Sequence, residues 1–250
     1  MTADQYLNQT ITKYQVDVAG VKAQVTAIYP TLKVWANKYL IETIYSGSLA
    51  KGTAVSLSTD ADVFISLSSS TPESLSDVYG SLYNVLVCAG YDTRKQNVSI
   101  GVSSAGYKID FVPGKRQSQY GYDHSLYRNK ARTWTKTNVK THVSYVADSK
   151  RTDEIKLSKI WRTLNRLDFP SFYLELAVID CLSGRRYSDL SGNFWEVLWF
   201  FESSFINRRY VDPANTNNII SEDLSDAERQ SIQAAARLSR TKKDWSQIVW

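Results

Sequence analysis

Cysteine is almost absent from this 250-residue chain: Cys88 and Cys181 are the only two, and both lie in apolar stretches. Neither has a His or Cys neighbour at the spacing of a zinc ligand set, which excludes a zinc site of that kind. Buried free thiols in a reducing cytosol are the expectation. No apolar run reaches the length of a membrane span and the N-terminus lacks a signal-peptide pattern. The chain is therefore expected in the cytoplasm, with no membrane partner. Internal repeats, low-complexity linkers and the Gly-Lys-Ser/Thr ending of a P-loop are also missing. What is present in quantity is core material. With 43% hydrophobic and 12% aromatic residues, disorder is excluded, and the length suits one large domain or two small ones.

The net charge of +5 is unevenly spread. Residues 1–110 carry 8 basic and 9 acidic side chains, residues 115–166 carry 13 and 4, and residues 167–250 carry 9 and 12. A basic middle segment beside a carboxylate-bearing first part fits a site that holds a polyanion, whether nucleotide or nucleic acid.

Leu7, Ile11, Tyr14, Val18, Val21, Val25 and Ile28 recur every three or four residues, which predicts one long amphipathic helix ended by Pro30. A short second helix is expected over Thr31–Tyr39. Ile41–Tyr45 and Ala61–Leu67 read as strands. Thr71-Pro72-Glu73 predicts a helix start, with Gly90 as its stop. Tyr91–Gln96, Val98–Val102 and Tyr107–Val112 read as three further short strands. Gly114–Trp134, basic and rich in tyrosine, reads as loop. Helices are then expected over Val139–Lys150, Asp153–Leu167, Phe172–Leu182, Asn193–Phe205 and Asp226–Ser239, the last opened by a Ser225/Glu228 capping box. The result is an α/β first half (residues 1–134) and an all-helical second half (135–250), with an active site expected in the crevice between them.

Chemistry concentrates in the first half. In Thr59-Asp60-Ala61-Asp62-Val63, strand geometry turns Asp60 and Asp62 to one face, where two like charges need a cation. Asp110, flanked by Ile109 and Phe111 in a second apolar strand, would be costly if buried alone. If that strand lies beside the first, three carboxylates converge. Three suit a pair of magnesium ions completed by phosphates and waters, with Mn²⁺ as the alternative metal. Asp110 is then the candidate to help deprotonate an acceptor hydroxyl. The Gly47-Ser48 turn lies a dozen residues upstream; alone it is an ordinary turn, but so close to the acids it suits a phosphate contact.

Gly47-Ser48-Leu49-Ala50-Lys51-Gly52-Thr53, then Asp60-Ala61-Asp62, then Lys108-Ile109-Asp110-Phe111-Val112-Pro113, resembles the nucleotidyltransferase superfamily typified by DNA polymerase beta. The likeness is closest to the branch of oligoadenylate synthetases, cyclic GMP-AMP synthase and the bacterial cGAS/DncV-like enzymes of antiphage signalling. Ile155-Lys156-Leu157-Ser158-Lys159-Ile160-Trp161 followed by Pro170-Ser171-Phe172-Tyr173-Leu174-Glu175-Leu176 resembles the helix pair of that branch. Asp212-Pro213-Ala214-Asn215 and Arg132-Thr133-Trp134 resemble later segments of it, the former readable as a turn.

The resemblance implies an α+β fold, with a polymerase beta-like α/β lobe of mixed sheet followed by a helical lobe. It implies catalytic, metal-holding Asp60, Asp62 and Asp110, and nucleotide contacts by Gly47, Ser48, Lys51, Thr53, Lys159 and Ser171. Tyr120, Tyr122, Tyr127 and Trp134 are stacking candidates for a base. The activity implied is template-independent joining of NTPs or dNTPs into a cyclic or linear oligonucleotide, read by a downstream effector. Nucleotide addition to an RNA 3′ end or a protein hydroxyl remains the rival, and a catalytically silent nucleotide-binding protein is the third reading. The zinc-bearing DNA-gripping insert of the animal cyclase has no counterpart here.

Overall fold

A computed structural model describes residues 1–57 and 60–250. In chain order the main elements begin with α1 (Ala3–Lys13), α2 (Val18–Ala36), β1 (Leu40–Tyr45), α3 (Gly47–Lys51), β2 (Ala61–Leu67) and α4 (Leu75–Cys88). There follow β3 (Asp92–Lys95), β4 (Ile100–Ser104), β5 (Tyr107–Arg116), β6 (His124–Arg128) and β7 (Thr133–Thr137). The last are α5 (Val139–Ala147), α6 (Thr152–Leu164), α7 (Ser171–Cys181), α8 (Leu190–Ser203) and α9 (Asp226–Arg240). Two compact units result, one of Asp17–Lys51 and Thr59–Val143, the other of Met1–Val16, Gly52–Ser58 and Ser144–Trp250. The chain thus passes between units more often than a single division at 134/135 implies. Among the described residues no helix is long and apolar enough to cross a membrane.

The first unit is built on a mixed sheet in the order β1-β2-β5-β4-β3, with β6 added to the far end of β5 and β7 to β6. Among the described residues only β2 and β5 run parallel, and the other strand pairings are antiparallel. Along β2, Ala61, Val63, Ile65 and Leu67 form a buried row that alternates with Asp62, Phe64 and Ser66. Phe64 and Ser66 are buried as well, so on this second face of β2 only the Asp62 end is left open for polar chemistry. Helices α2 and α4 pack on β5, burying Ile28, Leu32, Val78, Leu82 and Leu86.

The second unit is helical around an aromatic core. Trp161, Phe169, Tyr173, Phe201 and Phe205 contact one another in stacked and edge-on pairs with ring centroids 5.1–5.7 Å apart. Arg151 is sealed inside it, donating to Glu154 and to the carbonyls of Leu182, Arg185 and Arg186. Helix α1 belongs here: Tyr6 donates to the Val249 carbonyl at 2.8 Å, and Tyr14 to that of Trp250.

Several sequence expectations are corrected. The single N-terminal helix is two, because Asp17 caps α2 by accepting from the Gly20 N–H and is held there by the Tyr107 hydroxyl at 2.6 Å. The two apolar stripes happen to run in phase across that break. Pro30 does not end α2 but lies inside it, forfeiting one hydrogen bond. Helix α4 starts at a Ser74 cap, while the Thr71 hydroxyl is spent on the Ser68 carbonyl. Residues 114–134 are not all loop: β5 runs on to Arg116, and β6 and the start of β7 fall within them. Cys88 is exposed rather than buried; Cys181 is half-buried, and burial pushes its thiol up to about 12. The Ser225/Glu228 capping box is present, and Asp212 builds a turn by accepting from the Ala214 N–H.

Candidate active site

After β1 the chain turns at Ser46-Gly47 into the short helix α3. The Ser46 N–H donates to the Asp62 carbonyl at 2.8 Å, which ties this turn to the start of β2. Gly47 has φ +55°, and a Cβ there would lie 1.8 Å from the Asp62 Oδ2. Both the backbone and the carboxylate therefore demand glycine at this position. Ser48 is half-buried beside it, and the buried Lys51 ends α3.

Parallel pairing sets Asp62 directly opposite Asp110, in register with Ala61–Ile109 and Val63–Phe111. In-register residues on neighbouring strands share a face, so the two carboxylates lie side by side. Asp60 joins them through Arg94, whose Nη2 is 2.9 Å from Asp60 Oδ2 and 4.0 Å from Asp110 Oδ1. Asp62 and Asp110 are thus neighbours in register, and Asp60 is linked to Asp110 through one guanidinium. Among the described residues, however, no group of three or more His, Cys, Asp or Glu side chains forms a ready-made metal site. The Arg94 guanidinium brings positive charge to Asp60 and Asp110.

Asp110 is only 8% exposed. Burial, then the Asp60 charge, push its carboxyl up to about 6; Arg94 and hydrogen bonds from Gln96 and Ser99 hold it lower than it would otherwise be. The Gln96 Nε2 donates to Asp110 Oδ1 at 2.7 Å. Its amide is oriented by Ser99, which donates to Gln96 Oε1 at 3.2 Å. The Tyr79 hydroxyl closes this corner on the Gln96 and Ser99 carbonyls. The acids thus rest on a fixed neutral side and an ionic side.

The helix pair is organised differently. Lys159 on α6 is 2% exposed, its Nζ 2.6 Å from Glu175 Oε1 on α7 and 2.9 Å from the Thr53 hydroxyl. Thr53 donates in turn to the same carboxylate at 2.8 Å. One turn further along α6, Arg162 donates to the Ser171 hydroxyl at 3.0 Å and to the Phe169 carbonyl at 2.8 Å. Ser171 is the first residue of α7 and is exposed. Thr53 and Lys159 are therefore brought together, but around a buried carboxylate; Ser171 belongs to a separate, outer rung.

Of the aromatic candidates, Tyr120 and Trp134 are exposed, Tyr122 lies under the Lys140 ammonium at 3.4 Å, and Tyr127 packs on Tyr79. Sequence reasoning missed Arg94, Gln96, Gly101, Glu175 and Arg162. Glu175 carried a usable signal: like Asp110, it is a lone acid in an apolar segment.

No protein-family model matches the chain, and no curated protein matches it. Solved structures do. CdnC of E. coli MS115-1, determined with ATP, is 22% identical with TM-score 0.76, covering 95% of this chain and 90% of its own. The c-UMP-AMP synthase CdnE of Rhodothermus marinus, with Apcpp and Upnpp, is 13% identical with TM-score 0.67 and 98% coverage of both. Cid1 poly(U) polymerase, as the H336N mutant bound to MgATP, is 13% identical with TM-score 0.69, covering 94% and 92%. The chain shares its fold with these structures.

Proposed function

We propose that this chain, having the nucleotidyltransferase fold, is a metal-dependent, template-independent enzyme that joins nucleoside triphosphates into an oligonucleotide second messenger. The observation that carries this reading is the register of Asp62 with Asp110, with Asp60 drawn in by Arg94 and Gly47 pressed against Asp62. An acceptor hydroxyl attacks the α-phosphorus of a second triphosphate. The new P–O bond forms as the bond to the bridging oxygen breaks, and the electron pair leaves with pyrophosphate. Asp110, buried and more basic than an ordinary carboxylate, is the group suited to receive the hydroxyl proton.

Three carboxylates, two of them already attracting a guanidinium, are a donor set that fits Mg²⁺ or Mn²⁺. Such ions, when bound, lower the pKa of the attacking hydroxyl and offset charge on the leaving group. Gly47 and Ser48 are the proposed phosphate contacts. Ser171, exposed and backed by Arg162, suits an anion better than Lys159, whose charge Glu175 already neutralises. A bacterial antiviral role, with an effector protein as receiver of the product, follows from the same reading.

Purified protein incubated with all NTPs or dNTPs and Mg²⁺ is expected to release pyrophosphate and yield a product with phosphodiester mass. Absence of both across every nucleotide mixture would sink the proposal. The likeness to Cid1 favours a second reading, nucleotide addition to an RNA 3′ end. Under that reading transfer requires added RNA and lengthens it, whereas a messenger synthase turns over with nucleotides alone.

A further inference from the structure

Arg94, Gly101 and Asp110 are aligned across three strands: Arg94 pairs with Gly101, and Gly101 with Asp110. Successive partners across a sheet share a face, so the Arg94 side chain starts two strands away from the acid it reaches. Gly101 makes the crossing feasible. A Cβ at that position would lie 2.8 Å from the Arg94 Nε, 2.9 Å from its Cγ and 2.8 Å from the Gln96 Nε2. The absent side chain thus leaves a track along which both β3-side groups reach the acids. Their grips differ. Gln96 is fixed by Ser99, while Arg94 is 49% exposed and Asp60 37%, an ion pair open to water and readily released.

We infer that Arg94 is a resident counter-ion of the acidic cluster, laid over Gly101 and competing with divalent cations for Asp60 and Asp110. This rests on the metal-site reading given above. With no metal present, the guanidinium relieves repulsion among carboxylates and keeps them gathered on one face. Arg94 would give up these oxygens to a divalent ion held by Asp60 and Asp110, because both would claim the same atoms and a cation beside a cation is repelled. Gln96, neutral, stays on Asp110 throughout. Arg94 is in this sense a positioning residue whose departure accompanies metal entry, and which sets the metal concentration at which the site fills.

Mn²⁺ binding without nucleotide, followed by the electron paramagnetic resonance of the free ion, tests this on the intact chain. Removing one exposed ion pair predicts about fivefold tighter binding in Arg94→Met than in wild type. Gly101→Ala, which keeps every charge but obstructs the arginine's track, is expected to shift affinity in the same direction. Its crowding neighbours are side-chain atoms of Arg94 and Gln96 and no backbone, so the variant is expected to fold, with thermal melting as the check. Asp62→Ala should lose the bound ion. Equal or weaker Mn²⁺ binding in both Arg94→Met and Gly101→Ala, with loss in Asp62→Ala, overturns the counter-ion role and leaves the metal site standing. Wild-type binding that is absent, or unchanged in Asp62→Ala, overturns the metal site and the inference together.

Discussion

Each unit carries a cluster of opposite charges, and the two are treated in opposite ways. In the sheet unit Arg94 meets Asp60 at 2.9 Å with both side chains well exposed; in the helical unit Lys159 meets Glu175 at 2.6 Å with both sealed from water. Exposure makes the first pair weak and exchangeable. Burial makes the second one expensive to break, since either partner left alone is an uncompensated charge in the interior. One arrangement is suited to receiving a ligand, the other to fixing where α6 and α7 meet. A lysine chosen by motif resemblance for a triphosphate therefore sits where its charge serves the core.

The largest expected effect separates the clusters by activity. Asp62→Ala removes the carboxylate packed on Gly47 and should lower nucleotide transfer by at least about a hundred- to thousandfold, the range for losing a group that stabilises transition-state charge. Its melting temperature should stay near that of wild type, because one of three repelling acids is gone. Activity retained within tenfold would remove Asp62 from the chemistry.

Lys159→Met should do the reverse, costing at most about 3–5 kcal/mol of folding stability by taking a buried cation from Glu175, which keeps the Thr53 hydroxyl. Urea denaturation measures it. Replacing both partners with apolar residues should recover most of the loss, and failure to recover it would mean that Glu175 is not the source of the penalty.

Gly47→Ala should cost roughly 1–2 kcal/mol from its left-handed backbone alone. Displacement of the Asp62 carboxylate should add a loss of activity that Gly52→Ala, whose added Cβ meets only a Thr152 methyl at 3.7 Å, does not match. Comparing the two alanine variants isolates the carboxylate contact from backbone strain.

A pH dependence also belongs to the sheet cluster. Asp110 holds its proton up to about 6 in the folded, metal-free chain, against an ordinary value of 3.8. Between these values the folded state binds more protons than the unfolded, so this group's contribution to stability falls as pH rises from about 4 to 6 and levels off above. Asp110→Asn should lack that component of the slope. A profile with the same slope in the variant would assign it elsewhere.

Much of the fold was legible where one chemical pattern sufficed. β2 was bounded correctly because its apolar row alternates without interruption, and α9 because Ser225 and Glu228 cap it locally. β6 and β7 escaped because His124–Arg128 and Thr133–Thr137 are short and polar, with no apolar face to announce a strand. The break at Asp17 was hidden by stripes that stay in phase through it. For the site, the pairing of Asp62 with Asp110 followed from residue type and strand alternation. Arg94 did not, because its place beside Asp110 depends on the pairing of β3, β4 and β5 and on an empty position at Gly101. The burial of Lys159 was likewise set by a partner on another helix, sixteen residues away.

The bond from Tyr6 to the Val249 carbonyl joins residues 243 apart in sequence. The sheet unit is fully synthesised by residue 143, whereas the helical unit needs α1, made before that sheet, to wait for residues made after it. Synthesis therefore imposes an order: the acid-bearing half can settle while the N-terminal helix is still idle, and closure of the helical half is the late, long-range event.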